Sequence, residues 1–217
     1  MAPLRFYFDF VSPYAYIAWT QIGAMAARHD RALEPVATLF AGLLGANGQL
    51  GPAEIPRKRA YIFKDVVRTA RVLGIELRPP SAHPFNPLLG LRASSVDLAP
   101  DVRIRVIDCL FRAVWAGGPG ITDAAVVAEL LTAAGVDGEA LVERAGSDEI
   151  KQRVRAQTDA ALAEGVFGVP TMIADGELFW GYDAFGHLER RLSGADPLDG
   201  IDVTAWLDLP AQSVRRR

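Results

Sequence analysis

The residue types most able to do chemistry stand at three junctions between extended and helical patterns. Ser12-Pro13 follows an alternating run that ends at Phe10, and the pattern after it is helical. Serine caps orphan backbone amides, and proline suits a first helical position because its missing N–H is not needed there. The amides at such a helix start favour an anion. The Ser12 hydroxyl can therefore cap the helix or face a bound anion or thiolate. Its limited hydrogen-bonding capacity sets these roles against each other, and spacing alone leaves both open. Val169-Pro170-Thr171 sets a proline at the start of a strand. A trans proline there is an ordinary strand start. A cis peptide would turn the Val169 backbone outward, with its N–H and C=O available to an extended, peptide-like ligand. Gly181-Tyr182-Asp183 repeats the strand-to-helix junction. Its amides suit a carboxylate and Asp183 suits an ammonium, unless Asp183 is only a helix cap. Arg57 and Lys58, after a long loop, offer positive charge or a solvated helix end.

Other chemistries find no support. The one cysteine, Cys109, lies in the apolar context VIDCLFRAVW and reads as a buried small hydrophobe. A single cysteine excludes a disulfide framework and a dithiol redox pair within the chain. His29, His83 and His187 are scattered with no metal-ligand spacing, so no metal site is expected. GGPG lacks the lysine and the setting of a phosphate loop, and no nucleophile elbow surrounds Ser12.

These junctions need elements to position them. Leu4, Phe6, Phe8 and Phe10 share one face of a first strand; Arg5, Tyr7 and Asp9 share the other, whose mixed character predicts partial covering. A helix follows Ser12, with Ala18, Ile22 and Met25 at helical spacing, and then a strand over Leu33–Phe40, with Pro35 favouring an edge or an irregular beginning. Together they read as a βαβ unit. Gly42–Pro56, with four glycines and two prolines, reads as a long loop. Arg57–Leu73 reads as a helix stopped by Gly74, with Tyr61, Val66 and Leu73 toward its apolar side. Pro79–Pro87 is rigid and extended. Helices are expected over Asp101–Trp115, after a Thr122 cap, after Asp137 and after Ser147. Thr171–Ala174 and Glu177–Trp180 flank Asp175-Gly176 as a hairpin, and Asp183–Leu192 is a final helix. Beyond residue 195 only an apolar contact through Trp206 and Leu207 is suggested. The order predicts an α/β fold: thioredoxin-like β-α-β and β-β-α halves carrying a large all-helical insertion. Residues 1–41 and 166–217 would form the thioredoxin-like domain, and 42–165 the helical insertion with its connecting loops.

The bulk properties agree with an ordered chain. It has 217 residues, is 50% hydrophobic and carries a formal net charge of -3, with a mean hydropathy of +0.14 and a pI near 5.6. Nothing steers it toward nucleic acid, and the arginines at 215–217 read as a short solvated tail. Without a leader pattern or a long apolar run, the expectation is a cytoplasmic protein with no membrane partner.

Four stretches in order, FYFDFVSPYAY, the loop end IPRK, HPFNPLLGLR and GVFGVPTMIADGELFWGYD, resemble the glutathione-dependent 2-hydroxychromene-2-carboxylate isomerases. These are close relatives of the kappa-class glutathione transferases. The similarity runs from about residue 4 to 192. It implies a thioredoxin-like fold in which serine replaces a redox cysteine and the reactive thiol belongs to glutathione. By the family pattern, Ser12 hydrogen-bonds the glutathione sulfur and is the catalytic residue. The Val169 and Pro170 backbone holds the cysteinyl part, Asp183 with the Tyr182 backbone holds the γ-glutamyl end, and Lys58 lies near the glycyl carboxylate. Gln49 stands where kappa-class enzymes have asparagine, and its extra methylene moves the amide. Asn86 and Arg92 match a patch on the hydrophobic substrate side. The implied reaction adds the thiolate to a ring-opened aromatic keto acid, permits rotation, and releases glutathione unchanged. Phe10, Tyr14, Tyr61 and Trp180 offer flat surfaces for the ring, and Arg92 or Lys58 a charge for the substrate carboxylate. A homodimer is implied by the same resemblance. A kappa-like transferase or peroxidase needs the same thiolate site; a non-enzymatic glutathione- or peptide-binding module would bind without turnover.

Overall fold

In the computed structural model, which describes residues 2–210, the two ends of the chain meet in one sheet. Strand β1 (Leu4–Phe8) is followed by helix α1 (Pro13–Arg28) and strand β2 (Leu33–Ala37). β1 and β2 run parallel, from Leu4 opposite Leu33 to Phe8 opposite Ala37. Strands β3 (Thr171–Ala174) and β4 (Glu177–Trp180) form the hairpin. Its turn residues Asp175 and Gly176 both have positive φ, 50° and 83°, as a tight two-residue turn demands. β3 pairs antiparallel with β1, giving the order β2-β1-β3-β4. β2 is thus an edge strand, where Pro35 is tolerated. A 3-10 turn (Tyr182–Ala184) leads into α9 (Phe185–Leu192).

Between the two halves lie α2 (Phe40–Ala46), a 3-10 turn (Pro52–Glu54), α3 (Pro56–Leu73), α4 (Leu88–Ser95), α5 (Pro100–Trp115), α6 (Ala124–Ala133), α7 (Gly138–Ala145) and α8 (Asp148–Ala163). The fold is a thioredoxin-like β-α-β core with a large helical insertion. Local chemistry sets most boundaries. Gly74 ends α3 at φ 67°, Asp137 accepts from the Ala140 N–H to start α7, and Ser147 accepts from the Ile150 N–H to start α8.

Several expectations are corrected. Residues 42–56 are not one loop: α2 forms despite its glycines, because Leu43 is buried and α8 supports the helix start. The Thr158 hydroxyl accepts from the Leu39 N–H, and a Cβ on Gly42 would stand 3.1 Å from the Thr158 methyl. The second strand accordingly ends at Ala37. The cap of α6 is Asp123, which accepts from the amides of Ala125 and Val126, and not Thr122. The second face of β1 is covered, with Tyr7 and Asp9 both buried; Tyr7 packs with Leu43 of α2 and Ala161 of α8. Tyr61 stands on the outside of α3, 65% exposed, because five residues place it about 140° from Val66. Cys109 is half-buried; its thiol lies 3.4 Å from the Leu130 carbonyl, and burial raises its pKa. Trp206 and Leu207 form a short helix, α10 (Thr204–Leu207), and are 74% and 79% exposed rather than docked. The arginines at 215–217 lie outside the described residues.

Candidate active site

Ser12 sits where β1 hands over to α1, 8% exposed. Its Oγ accepts from the Ala15 N–H at 3.1 Å, so it is the helix cap. The same Oγ donates to the Val169 carbonyl at 3.3 Å, across 157 residues of chain. The hydroxyl therefore acts at both junctions at once: its lone pair holds α1 and its proton points at the backbone before β3.

The turn carrying Ser12 is held at both polar atoms of Val11, at the Phe10 carbonyl and at the Ser12 N–H. Trp115 Nε1–H donates to the Phe10 carbonyl at 2.9 Å. The Val11 N–H donates to Asp9 Oδ1 at 3.0 Å, and the Val11 carbonyl accepts from His83 Nε2 at 2.8 Å. The Ser12 N–H donates to the Asp9 carbonyl. The other Asp9 oxygen accepts from the Phe40 N–H at 2.9 Å and so ties the turn to α2. Burial raises the Asp9 carboxyl to about 7, opposed by these two amide donors.

Opposite Ser12, the Val169–Pro170 peptide is cis. Val169, Pro170 and Thr171 are buried. The Val169 carbonyl meets Ser12, whereas its N–H has no protein acceptor among the described residues. The Pro170 carbonyl accepts from the Gly181 N–H at 2.9 Å, joining this segment to the third junction. Gly181 has φ 86°, and a Cβ there would collide with Asp183 Oδ1; a glycine is needed on both counts. Asp183 is exposed and caps neither the 3-10 turn nor α9. The Tyr182 ring packs beside Phe185 at 4.8 Å and against the cluster of α1 and α3 residues around Ile17 and Val66.

Tyr14 links these junctions to α3. Its hydroxyl donates to Asp65 Oδ2 at 2.8 Å. Burial raises its pKa, and the Asp65 carboxylate raises it further. Further toward the start of α3, Arg57, Lys58, Tyr61 and Ile62 line a shallow hollow of about 390 Å³. Lys58 and Gln49 are both exposed.

The side chains of the other anticipated site residues make no hydrogen bond to Ser12 among the described residues. Phe10 is a correction: it is fully buried, with its ring 4.7 Å from Phe111 and 5.3 Å from Phe8, and offers no face to a ligand. Trp180 is 53% exposed, tilted 58° against Phe167 with the ring centres 5.0 Å apart, and pressed over Gly168, where a Cβ would lie 2.5 Å from its indole nitrogen. Asn86 accepts from the Leu88 N–H at 3.0 Å and opens α4. Arg92 is half-buried in α4 and makes no ion pair among the described residues. In the HPFN segment it is His83 that reaches the Ser12 turn. Neither His83 nor Asp9 was singled out by sequence reasoning, although both lie within the family-like stretches.

The sequence profile of the DSBA-like thioredoxin domain matches residues 3–193. The chain belongs to that family. It is 32% identical over 201 residues to a 2-hydroxychromene-2-carboxylate isomerase of Pseudomonas sp. (strain C18), covering 90% of this chain and 92% of that protein. It is 31% identical over 209 residues to glutathione S-transferase kappa 2 of Caenorhabditis elegans, covering 91% and 89%. A solved structure of a 2-hydroxychromene-2-carboxylate isomerase superposes with a TM-score of 0.82 at 27% identity, covering 93% of this chain and 98% of that one. Within the DSBA-like family, the chain is thus related to the isomerases and kappa-class transferases. The one cysteine of this chain, Cys109, lies in α5, away from the turn that carries Ser12 in the chain order.

Proposed function

We propose that the protein is a glutathione-dependent isomerase that interconverts 2-hydroxychromene-2-carboxylate and trans-o-hydroxybenzylidenepyruvate, or close aryl analogues. The observation that carries this reading is the Ser12 hydroxyl, placed at the N-terminus of α1 and directed at the Val169 carbonyl. A sulfur arriving there meets a hydroxyl donor and helix-end amides, which favour its thiolate. Glutathione fits on chemical grounds: the open Val169 N–H suits the backbone of an extended peptide, and the uncommitted Asp183 carboxylate suits an ammonium. When bound, glutathione supplies a thiolate that adds reversibly to the conjugated double bond and leaves it free to rotate. Ser12 swings its proton from the Val169 carbonyl to the sulfur. Val169 and Pro170 hold the cysteinyl backbone, and Asp183 with the Tyr182 backbone holds the γ-glutamyl end. Lys58 and Gln49 meet the glycyl end across open surface. Tyr14, Tyr61 and Trp180 form the aromatic surroundings, and Arg92 receives the substrate carboxylate, with Asn86 setting the start of its helix. We place the protein in the cytoplasm as a homodimer, with residues 1–41 and 166–217 as one domain and 42–165 as the other.

A kappa-like transferase is the second reading, favoured by the nearly equal identity to the Caenorhabditis elegans protein. An ultraviolet assay of 2-hydroxychromene-2-carboxylate, with and without glutathione, separates the two. The isomerase converts it only when glutathione is present and leaves the total glutathione unchanged. No conversion, with glutathione consumed by a general electrophile, moves the protein to the transferases.

A further inference from the structure

We propose that His83 is a positioning residue for Ser12, acting through the Val11 peptide; this rests on the glutathione reading above. The Val11 carbonyl can only accept, so the 2.8 Å contact makes His83 Nε2 the protonated nitrogen. That assignment leaves Nδ1 as a bare acceptor, buried and without a partner among the described residues. The ring is fixed by Phe63 at 5.2 Å, Trp115 at 5.6 Å and Phe85 at 6.5 Å. A second proton would place an N–H at Nδ1 with no acceptor, so the ring stays neutral. Burial lowers its pKa first and the nearby Arg59 adds to this, while the Val11 contact opposes them.

The contact ties the 79–87 segment of the insertion to the residue before Ser12, across 72 positions. Trp115, which packs on the His83 ring, holds the Phe10 carbonyl one residue earlier. Asp9 holds the N–H of Val11 itself. With both ends of the Val11 residue held, the direction of the Ser12 Cα–Cβ bond is set, and with it the path of the hydroxyl to a sulfur. A hydroxyl moved by a few tenths of an ångström loses the alignment that a hydrogen bond to a thiolate requires.

The test compares His83→Leu, which keeps bulk and loses the donor, with His83→Gln, whose amide can still donate to Val11. The glutathione-loaded protein is titrated through the ultraviolet band of the thiolate, and kcat and KM for glutathione are measured separately. In His83→Leu the bound thiol pKa is expected to rise by about 1 unit and kcat to fall about tenfold, with KM altered less than about twofold; His83→Gln recovers most of both. An unchanged thiol pKa in His83→Leu, or equal damage in the two variants, overturns the proposal. Nitrogen NMR of the ring in the wild-type protein tests it without any substitution. It requires the Nε2–H tautomer near pH 7; the Nδ1–H tautomer or a doubly protonated ring overturns it. A wild-type protein with no thiolate band fails the glutathione reading itself, whereas a wild-type band that His83→Leu leaves unmoved overturns only the assignment to His83.

Discussion

The sheet side and the helix side of the candidate site are built differently. On the sheet side, Ser12, Val169 and Pro170 are buried, and in the turn before Ser12 both polar atoms of Val11 and the Phe10 carbonyl are bonded to Asp9, His83 or Trp115. On the helix side, Lys58 and Tyr61 stand in solvent around a shallow hollow, and Gln49 is exposed as well. A buried, fully bonded group is preorganised, and losing it leaves partners unsatisfied. An exposed side chain pays its ordering entropy only when a ligand arrives and gains a screened interaction. The sheet side is thus suited to setting the state of a sulfur, and the helix side to adjusting affinity.

The largest effect that sharpens this contrast is structural. Phe10→Ala removes a ring enclosed by Phe8 and Phe111 and is expected to cost about 3–5 kcal/mol in denaturant unfolding. A Phe10→Ala protein of undiminished stability with weakened substrate binding would return Phe10 to the ligand surface. Next, Ser12→Ala is expected to lower turnover about a hundredfold, near 2.7 kcal/mol of barrier. Its lost cap costs only about 1 kcal/mol of stability, and glutathione affinity measured by calorimetry changes little. Equal loss of binding and turnover, tracking loss of folded protein, would make Ser12 a cap alone.

The third effect is a pH dependence of stability from Asp9. Burial lifts its folded pKa to about 7 from an ordinary value of 3.8. Between those values the folded chain holds a proton that the unfolded chain has released, so Asp9 makes stability fall as pH rises from about 4 to about 7. Asp9→Asn is expected to flatten that slope, by up to about 1 kcal/mol per pH unit, in urea midpoints taken across the range. An unaltered slope would show that the two amide donors hold Asp9 ionised throughout. The smallest effect lies on the helix side. Lys58→Ala is expected to raise the KM for glutathione only about threefold, roughly 0.6 kcal/mol, with kcat retained. A loss as deep as that of Ser12→Ala would break the contrast, because an exposed lysine would then be acting as a preorganised group.

The residues that were legible in the sequence obey rules spanning a few positions. Ser12 caps α1, Asp137 and Ser147 cap their helices, Gly74 stops α3, and Asp175-Gly176 turns the hairpin. Alternation marked β1, and the order of elements with the family-like motifs pointed to the thioredoxin-like core. These features are readable because a cap or a turn is satisfied by neighbours in the chain. The candidate residues Ser12, Val169 and Asp183 were named one by one, but no local rule states that the Ser12 hydroxyl reaches the Val169 carbonyl.

What the sequence determined by itself, then, is the set of local elements and the chemical types at their junctions: a serine-proline after a strand, a valine-proline before one, and Gly181-Tyr182-Asp183 ahead of a helix. Only the tertiary structure decided which of them meet and which face inward. It buried Phe10 against Phe111, covered Tyr7 with α2 and α8, tied the buried Asp9 to the start of α2, made a helix of a glycine-rich stretch on the support of Thr158, and brought His83 to Val11. Each of those outcomes depends on groups many residues apart, whose contact energies enter only after the intervening chain has closed. Local propensity and alternation contain no term for that closure.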